Sequence, residues 1–141
     1  MKKGFEVPFI ENGSEIPMVE FIIDQFKLVA LIDTGAEITL LDKVLSGYVT
    51  KKESDVSNIS LVGISGSKQT PPEEAFADIT FKDKRSFKTV KMDFLVSNLD
   101  YIHKHFSGFL GAEGGIAMII GSDFLNKTQA HIDYNKKVMV I

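Results

Sequence analysis

The stretch Ala30-Leu31-Ile32-Asp33-Thr34-Gly35-Ala36-Glu37 decides how the rest of the chain is interpreted. A run of apolar residues, 28–32, ends abruptly in a carboxylate, a hydroxyl and a glycine. An isolated ionised carboxylate is costly to remove from water unless it is paired, hydrogen-bonded or protonated. Asp33 therefore either makes a structural bond, as in a strand-end Asx turn, or is placed there for chemistry.

Composition narrows the function classes. The chain has 141 residues, and we expect a single domain over residues 1–141. Its hydrophobic content of 44% and charged content of 25% are ordinary for a globular protein. The net charge of -3 and the lack of a long basic run argue against a nucleic-acid partner. The absence of cysteine excludes disulfides and thiolate metal sites.

The sequence also carries no signal that we interpret as membrane insertion or export. The longest uncharged apolar run is too short to span a bilayer. A charge and Pro8 stand where a signal peptide would have its apolar segment. We therefore expect a cytoplasmic protein without a membrane partner, unless the chain is the trimmed form of an exported protein.

Short apolar and β-branched runs dominate the chain, with turn signals between them. This pattern predicts an all-β barrel or sandwich with almost no helix. Single strands are expected over 4–10, 38–41, 58–62 and 117–120. Hairpins are expected to pair residues 18–23 with 26–32, 75–81 with 87–96, and 130–134 with 137–141.

Two short helical segments are expected. Residues 42–46 favour one helical turn, with Asp42 as its cap and Gly47 as its stop. A second helix should begin near Gly121, capped by Ser122 or Asp123. Residues 50–57 look like a polar loop, and residues 97–117 do not fit the strand pattern.

Asp33-Thr34-Gly35-Ala36 resembles the active-site signature of the aspartic proteases, which also follows an apolar strand. Pepsin-like members carry two such signatures in one long chain, whereas this shorter chain has one. It therefore resembles the retropepsins, the retroviral-protease type, in which two identical chains each supply one aspartate. Four further segments are similar to the family's: the hairpin 18–32, the glycine-bearing flap 63–67, the segment 119–125 and the strand 130–134.

This resemblance implies a closed acid-protease barrel with one short C-terminal helix and a flap hairpin. It implies an aspartic endopeptidase that acts on polypeptides as a homodimer, with no cofactor and no metal. The implied catalytic residues are Asp33, Thr34 and Gly35. The implied substrate-binding residues are Ala36, Glu37, Gly63, Ile64, Ser65 and Gly66.

The chemistry explains these residue types. Aspartic proteases are the standard example of two close carboxylates that cannot both ionise cheaply and so share a proton. The ionised carboxylate can take a proton from water, and the protonated one can polarise the substrate carbonyl. Thr34 offers a hydroxyl that can bond across the two-fold axis, and Gly35 lets backbones approach closely. Gly63 and Gly66 would let a lid close over the peptide.

Two departures from the family keep a second function class open. Viral members commonly have arginine where this chain has Ser122, and that arginine pairs with the acid equivalent to Glu37. The segment 97–117 is also longer than the compact viral form requires. The alternative is the same barrel acting as a non-catalytic or latent binding or dimerisation module. His103 and His105 lack a third ligand, so we do not expect a metal site.

Overall fold

The computed structural model describes residues 4–11, 15–52, 73–102 and 116–141. The predicted flap residues 63–67 lie outside these ranges, and so does the predicted strand 58–62. In chain order the complete elements are β1 (Glu6–Pro8), β2 (Met18–Ile23), β3 (Phe26–Ile32), β4 (Leu40–Asp42), a 3-10 helix (Lys43–Tyr48), β5 (Thr50–Lys51), β6 (Glu73–Lys82), β7 (Phe87–Ser97), β8 (Ile116–Ile120), α1 (Ser122–Lys127), β9 (His131–Asp133) and β10 (Val138–Val140).

Six strands close into a barrel. Their order is β2-β3-β8-β4-β7-β6, and the ring closes where β6 pairs with β2 through Thr80 and Ile22. Strand β5 pairs with Ala75 and Phe76 of β6. Closure leaves these six strands without a long open edge, which is how small β proteins avoid edge-to-edge association. The predicted all-β class and closed barrel are confirmed.

The three hairpins predicted from the sequence are present. Strands β2 and β3 pair from Met18↔Leu31 to Ile23↔Phe26. Asp24, in the turn between them, adopts a φ of 56°, a region in which aspartate is tolerated better than most residues. Strand β6 pairs with β7, and β9 pairs with β10.

Two parallel pairings bring distant parts of the chain to the same end of the barrel. Strand β3 runs parallel to β8, with Ile32 opposite Ile120. Strand β4 runs parallel to β7 and antiparallel to β8. Because β3 and β8 end side by side, the residues that follow each of them are neighbours.

The core has two parts. The main cluster fills the barrel and includes the fully buried side chains Phe21, Ile79 and Phe81. A smaller cluster, which we call the lateral cluster, consists of five buried residues, with four half-buried ones packed against it. Its buried members are Met18, Leu31, Leu99, Ile116 and Ile119.

A second, three-stranded sheet has the order β1-β10-β9, so the first and last strands of the chain pair with each other. The bridge between Phe9 and Val19 links this sheet to the barrel. Lys88 Nζ also donates to the Ile141 carbonyl oxygen, at 3.2 Å. Within the described ranges, no helix has the length and apolar character that crossing a membrane requires.

Two local predictions were wrong. The 3-10 helix runs from Lys43 to Tyr48, so Gly47 lies inside it rather than stopping it. The expected polar loop after residue 50 begins instead with the short strand β5, because Thr50 and Lys51 pair with Phe76 and Ala75. The cap was predicted correctly: the Asp42 side chain accepts a hydrogen bond from Val44 N at 3.3 Å.

Candidate functional site

Asp33 is positioned by the buried end of β3. Ala30, Leu31 and Ile32 are all buried, so the backbone that leads into Asp33 is fixed by packing. The Asp33 backbone N–H donates to the Ile120 carbonyl oxygen at 2.9 Å, at the end of the neighbouring parallel strand. The last apolar residues of β3 therefore hold the first polar one in a defined place.

A tight turn then presents the Asp33 side chain to solvent. Ala36 N donates to the Asp33 carbonyl oxygen at 3.1 Å, and Gly35 N donates to Asp33 Oδ1 at 3.0 Å. A Cβ on Gly35 would lie 3.3 Å from that same carboxylate oxygen, which favours glycine there. Among the described residues, none donates a hydrogen bond to Asp33 Oδ2.

The structural and the chemical explanations of Asp33 are therefore compatible. The Asx bond that a purely structural turn requires is present, but it uses one oxygen, and no described residue donates a hydrogen bond to the other. A fixed carboxylate with one open oxygen is suited to hold a water molecule or a proton. In a single chain Asp33 is exposed to solvent. The removal of its carboxylate from water, which motivated the prediction, would require a second copy of the chain to pack over it.

The start of α1 crosses directly behind this turn. Ser122 N donates to the Ala36 carbonyl oxygen at 2.7 Å, and Asp123 N donates to the Glu37 carbonyl oxygen at 3.3 Å. A Cβ on Gly121 would lie 2.8 Å from the Ala36 carbonyl oxygen, so the two backbones can cross this closely only at glycine.

The predicted cap of α1 was wrong. Gly121 is the N-cap, and no side chain caps the helix there. The Asp123 carboxylate instead accepts hydrogen bonds from Thr39 N at 3.1 Å and from Thr39 Oγ1 at 2.7 Å. The prediction that Asp123 is a bonding residue holds, although its side chain is not buried.

The residues predicted for the site fall into two groups. Thr34, Gly35 and Glu37 are exposed and Ala36 is half-buried, all within the turn and the residue that follows it. Gly63, Ile64, Ser65 and Gly66 lie outside the described residues, as do His103 and His105. The part of the chain that the structure describes contains no cluster of three or more His, Asp or Glu residues that could hold a metal ion.

Sequence reasoning missed one residue near the carboxylate. Burial of the phenol raises the pKa of Tyr101, and the negative charge of Asp33 raises it further. The two side chains therefore lie within electrostatic range of each other. No sequence motif marks Tyr101, because it stands in the segment that matched no strand pattern.

Comparison with known proteins identifies the fold. No protein-family model and no curated protein sequence matches the chain. The retroviral protease-like domain of Ddi1 from Leishmania major has 15% sequence identity and a TM-score of 0.52, over 89% of this chain and 90% of that one. The EIAV protease in complex with an inhibitor has 19% identity and a TM-score of 0.46, over 88% and 98%.

A retropepsin-like aspartic protease from Rickettsia conorii has 14% identity and a TM-score of 0.42, over 99% of this chain and 93% of that one. Identities this low are informative about the fold alone. The Leishmania domain, with a TM-score above 0.5, is the comparison that carries weight. The chain therefore has the retroviral protease-like, or retropepsin-like, fold.

Proposed function

We propose that the chain is an aspartic endopeptidase that works as a symmetric homodimer, in which each subunit contributes Asp33. The observation that supports this most is the Asp33 carboxylate at the buried end of β3, which is held through Oδ1 and receives no hydrogen bond at Oδ2 from the described residues. One chain supplies one such carboxylate in this motif, so a catalytic pair requires a second copy.

In this mechanism the two carboxylates face each other across the two-fold axis and share one proton. The ionised Asp33 accepts a proton from water as that water attacks the scissile carbonyl carbon. The partner subunit's Asp33 donates its proton to the carbonyl oxygen, which gives a tetrahedral intermediate. The Asp33 that accepted the water proton then donates it to the leaving amine nitrogen as the carbon–nitrogen bond breaks, and the hydroxyl of the intermediate returns its proton to the partner subunit's Asp33 as the carboxylic acid product forms.

The surrounding residues have proposed roles that follow the resemblance. Thr34 would bond across the two-fold axis, while Ala36 and Glu37 would hold the substrate backbone. Glu37 is exposed, so a peptide can reach it, although Ser122 stands where viral members have the arginine that pairs with this acid. The flap role of residues 63–66 remains a prediction from the sequence.

The first experiment compares Asp33→Asn with wild type on denatured protein and on a peptide library at pH 4–7. The amide keeps an oxygen that can accept from Gly35 N, so the fold should be unaffected. We expect cleavage to fall by a factor of roughly 10³ or more, because the water loses its base. Asp78→Asn, which changes an exposed carboxylate on β6, is the matched control and should cleave like wild type. Undiminished cleavage by Asp33→Asn would disprove the assignment.

A mixing experiment tests the homodimer. If both subunits must supply Asp33, a ninefold excess of Asp33→Asn chains should lower the activity per wild-type chain to roughly one tenth, since most wild-type chains then sit in mixed dimers. A monomeric enzyme would show no inhibition. A protein that dimerises but never cleaves would instead support the binding or dimerisation module.

A further inference from the structure

The hairpin that joins β6 to β7 carries a concentration of positive charge around its turn. Residues 82–91 contain one carboxylate and five cations, so this segment has a charge of +4, whereas the whole chain has a net charge of -3. The five cations are Lys82, Lys84, Arg85, Lys88 and Lys91. The proposed protease chemistry uses none of them. We call residues 82–88 the basic tip.

The basic tip is the end of a two-stranded ribbon. Strand β6 pairs with β2 at Thr80, and β7 pairs with β4 from Leu95 onward. Among the described residues, the last ladder pair before the turn joins Lys82 to Phe87 and involves no third strand. The turn is therefore a convex end of the hairpin and not part of a sheet edge.

The carboxylate of the basic tip is bonded within the turn itself. Asp83 N donates to the Ser86 carbonyl oxygen at 3.0 Å. In return, Asp83 Oδ1 accepts from Arg85 N and from Ser86 N, both at 2.6 Å. The turn is thus held by its backbone and one carboxylate, through donors that are not the basic side chains.

The basic side chains of the turn are open to solvent. Lys82, Lys84 and Arg85 are exposed, and no carboxylate of the described residues forms an ion pair with any of the three. Lys82 pairs with Phe87, and Lys88 pairs with Phe81, so the two lysines belong to opposite faces of the hairpin. Positive charge therefore surrounds the basic tip instead of following one side of it.

Phe87 places an exposed aromatic ring among these cations. It keeps 63% of its surface exposed, and Lys82 Nζ lies 5.9 Å from the centre of its ring. An apolar ring flanked by cations can enter the boundary between lipid headgroups and acyl chains while the cations stay with the headgroups.

We propose that the basic tip docks the protein on an anionic membrane surface, with the Phe87 ring at the headgroup level and the three exposed cations against negative lipid groups. The same surface repels the negative remainder of the chain, so the charge distribution favours an approach with the basic tip first. Docking of this kind needs no membrane-spanning segment. It departs from the expectation of no membrane partner, which rested on the lack of such a segment.

The shape of the basic tip favours a membrane over an acidic peptide. A layer of anionic headgroups offers negative charge on every side of a convex turn, and it also offers an apolar layer beneath for Phe87. A single acidic strand could contact only one face of the hairpin and would leave the ring in water.

The first test is co-sedimentation with phosphatidylcholine vesicles, with and without phosphatidylserine. We expect binding only when phosphatidylserine is present, and weaker binding as the salt concentration rises. Lys84→Glu/Arg85→Glu should lower the partition coefficient about tenfold or more. Lys136→Glu/Lys137→Glu is the matched control and should keep most of the binding, because it makes the same charge change at two exposed lysines in the turn between β9 and β10.

A second test locates the ring. The chain contains no tryptophan, so Phe87→Trp introduces a single fluorescent reporter. With phosphatidylserine vesicles its emission should shift to shorter wavelength and become protected from an aqueous quencher. Tyr134→Trp is the matched control, since Tyr134 is 61% exposed in the other hairpin turn, and its emission should not shift.

Each contrary result would overturn the proposal. Wild-type protein that ignores the anionic vesicles would do so, and so would an equal loss in the two double variants, which would indicate a general effect of net charge. An unshifted Phe87→Trp emission on bound vesicles would exclude the ring from the contact. Binding to a polyglutamate peptide but not to vesicles would identify an acidic polypeptide as the partner instead. None of these measurements depends on cleavage, so the endopeptidase proposal is tested separately.

Discussion

Thr39 links the Asp33 turn to the helix behind it. It is fully buried, at 0% exposure, and its hydroxyl both donates to Asp123 Oδ1 and accepts from Gly121 N at 3.1 Å. Its carbonyl oxygen accepts from Leu95 N at 3.0 Å, which ties the same residue to β7. A single small side chain thus satisfies a buried backbone donor and orients a carboxylate.

Thr39→Val should therefore destabilise the protein although it preserves shape. The substitution leaves Gly121 N buried without its partner, which costs about 1–3 kcal/mol. Urea unfolding followed by circular dichroism measures this difference. The matched control is Thr89→Val, which breaks the exposed hydroxyl pair with Thr80 and should change the free energy of unfolding by less than about 0.5 kcal/mol. Equal effects of the two substitutions would contradict the role of Thr39.

At the residue scale the sequence predicted the local features and missed the distant ones. Asp33 could be identified because an apolar run ends at it. The partner of Asp123 could not be identified, because Thr39 stands 84 positions away in the sequence. A threonine that follows a turn is common and does not by itself indicate a bond to a distant carboxylate. Tyr101 was missed for the same reason, since only the folded chain brings it near Asp33.

At the element scale the decisive feature is the crossing of α1 behind the turn after β3. Gly121 permits it, because an added Cβ would lie 2.8 Å from the Ala36 carbonyl oxygen and 2.8 Å from the Ile38 carbonyl carbon. Both are backbone atoms, so no side chain can rotate away to make room.

Gly121→Ala should destabilise the protein by about 1–3 kcal/mol or more, because the turn and the helix must move apart. Any cleavage activity should also fall at temperatures at which the variant is still folded, since the displaced turn carries Asp33. Gly47→Ala is the matched control: nothing lies within 4 Å of its added Cβ, so stability should be unchanged or slightly raised. Thermal unfolding and peptide cleavage on both variants make the comparison, and a harmless Gly121→Ala would contradict the crossing.

The elements show why some of the topology could be predicted. Each hairpin is closed by a short turn, so two apolar or β-branched runs with a short polar break between them were enough to predict that β2 pairs with β3 and β6 with β7. The parallel partners β3 and β8 are adjacent in the barrel but are separated in the sequence by β4 to β7. No local sequence pattern fixes their register. The cap of α1 was mistaken because Asp123, a good capping residue by type, is engaged by Thr39 instead.

At the scale of the whole molecule, one charged group joins three parts of the barrel's outer surface. Asp93 on β7 accepts from Lys52 Nζ at 2.7 Å and from Lys127 Nζ at 3.2 Å. Lys52 follows β5, and Lys127 ends α1. The hydrogen bond from Lys52, and after it the one from Lys127, lower the pKa of Asp93 from its usual value of 3.8.

This lowered pKa predicts how stability depends on pH. A carboxylate whose folded pKa lies below its unfolded pKa stabilises the fold above the unfolded value, and loses that effect as pH falls through the folded value. Asp93→Asn should therefore lower the free energy of unfolding at pH 7 but have little effect once the pH is below the folded pKa. With 41% of the Asp93 side chain exposed, solvent screening limits the loss to about 1 kcal/mol or less.

Double-mutant cycles apportion this contribution between the two lysines. Because the Lys52 hydrogen bond is the shorter and the stronger influence on Asp93, Asp93→Asn should couple more to Lys52→Gln than to Lys127→Gln. Urea unfolding of the single and double variants at pH 7 measures both couplings, and repeating it in 1 M salt should shrink them. Additive effects for both lysines, or a loss in Asp93→Asn that persists unchanged in strong acid, would show that the cluster does not stabilise the barrel through charge.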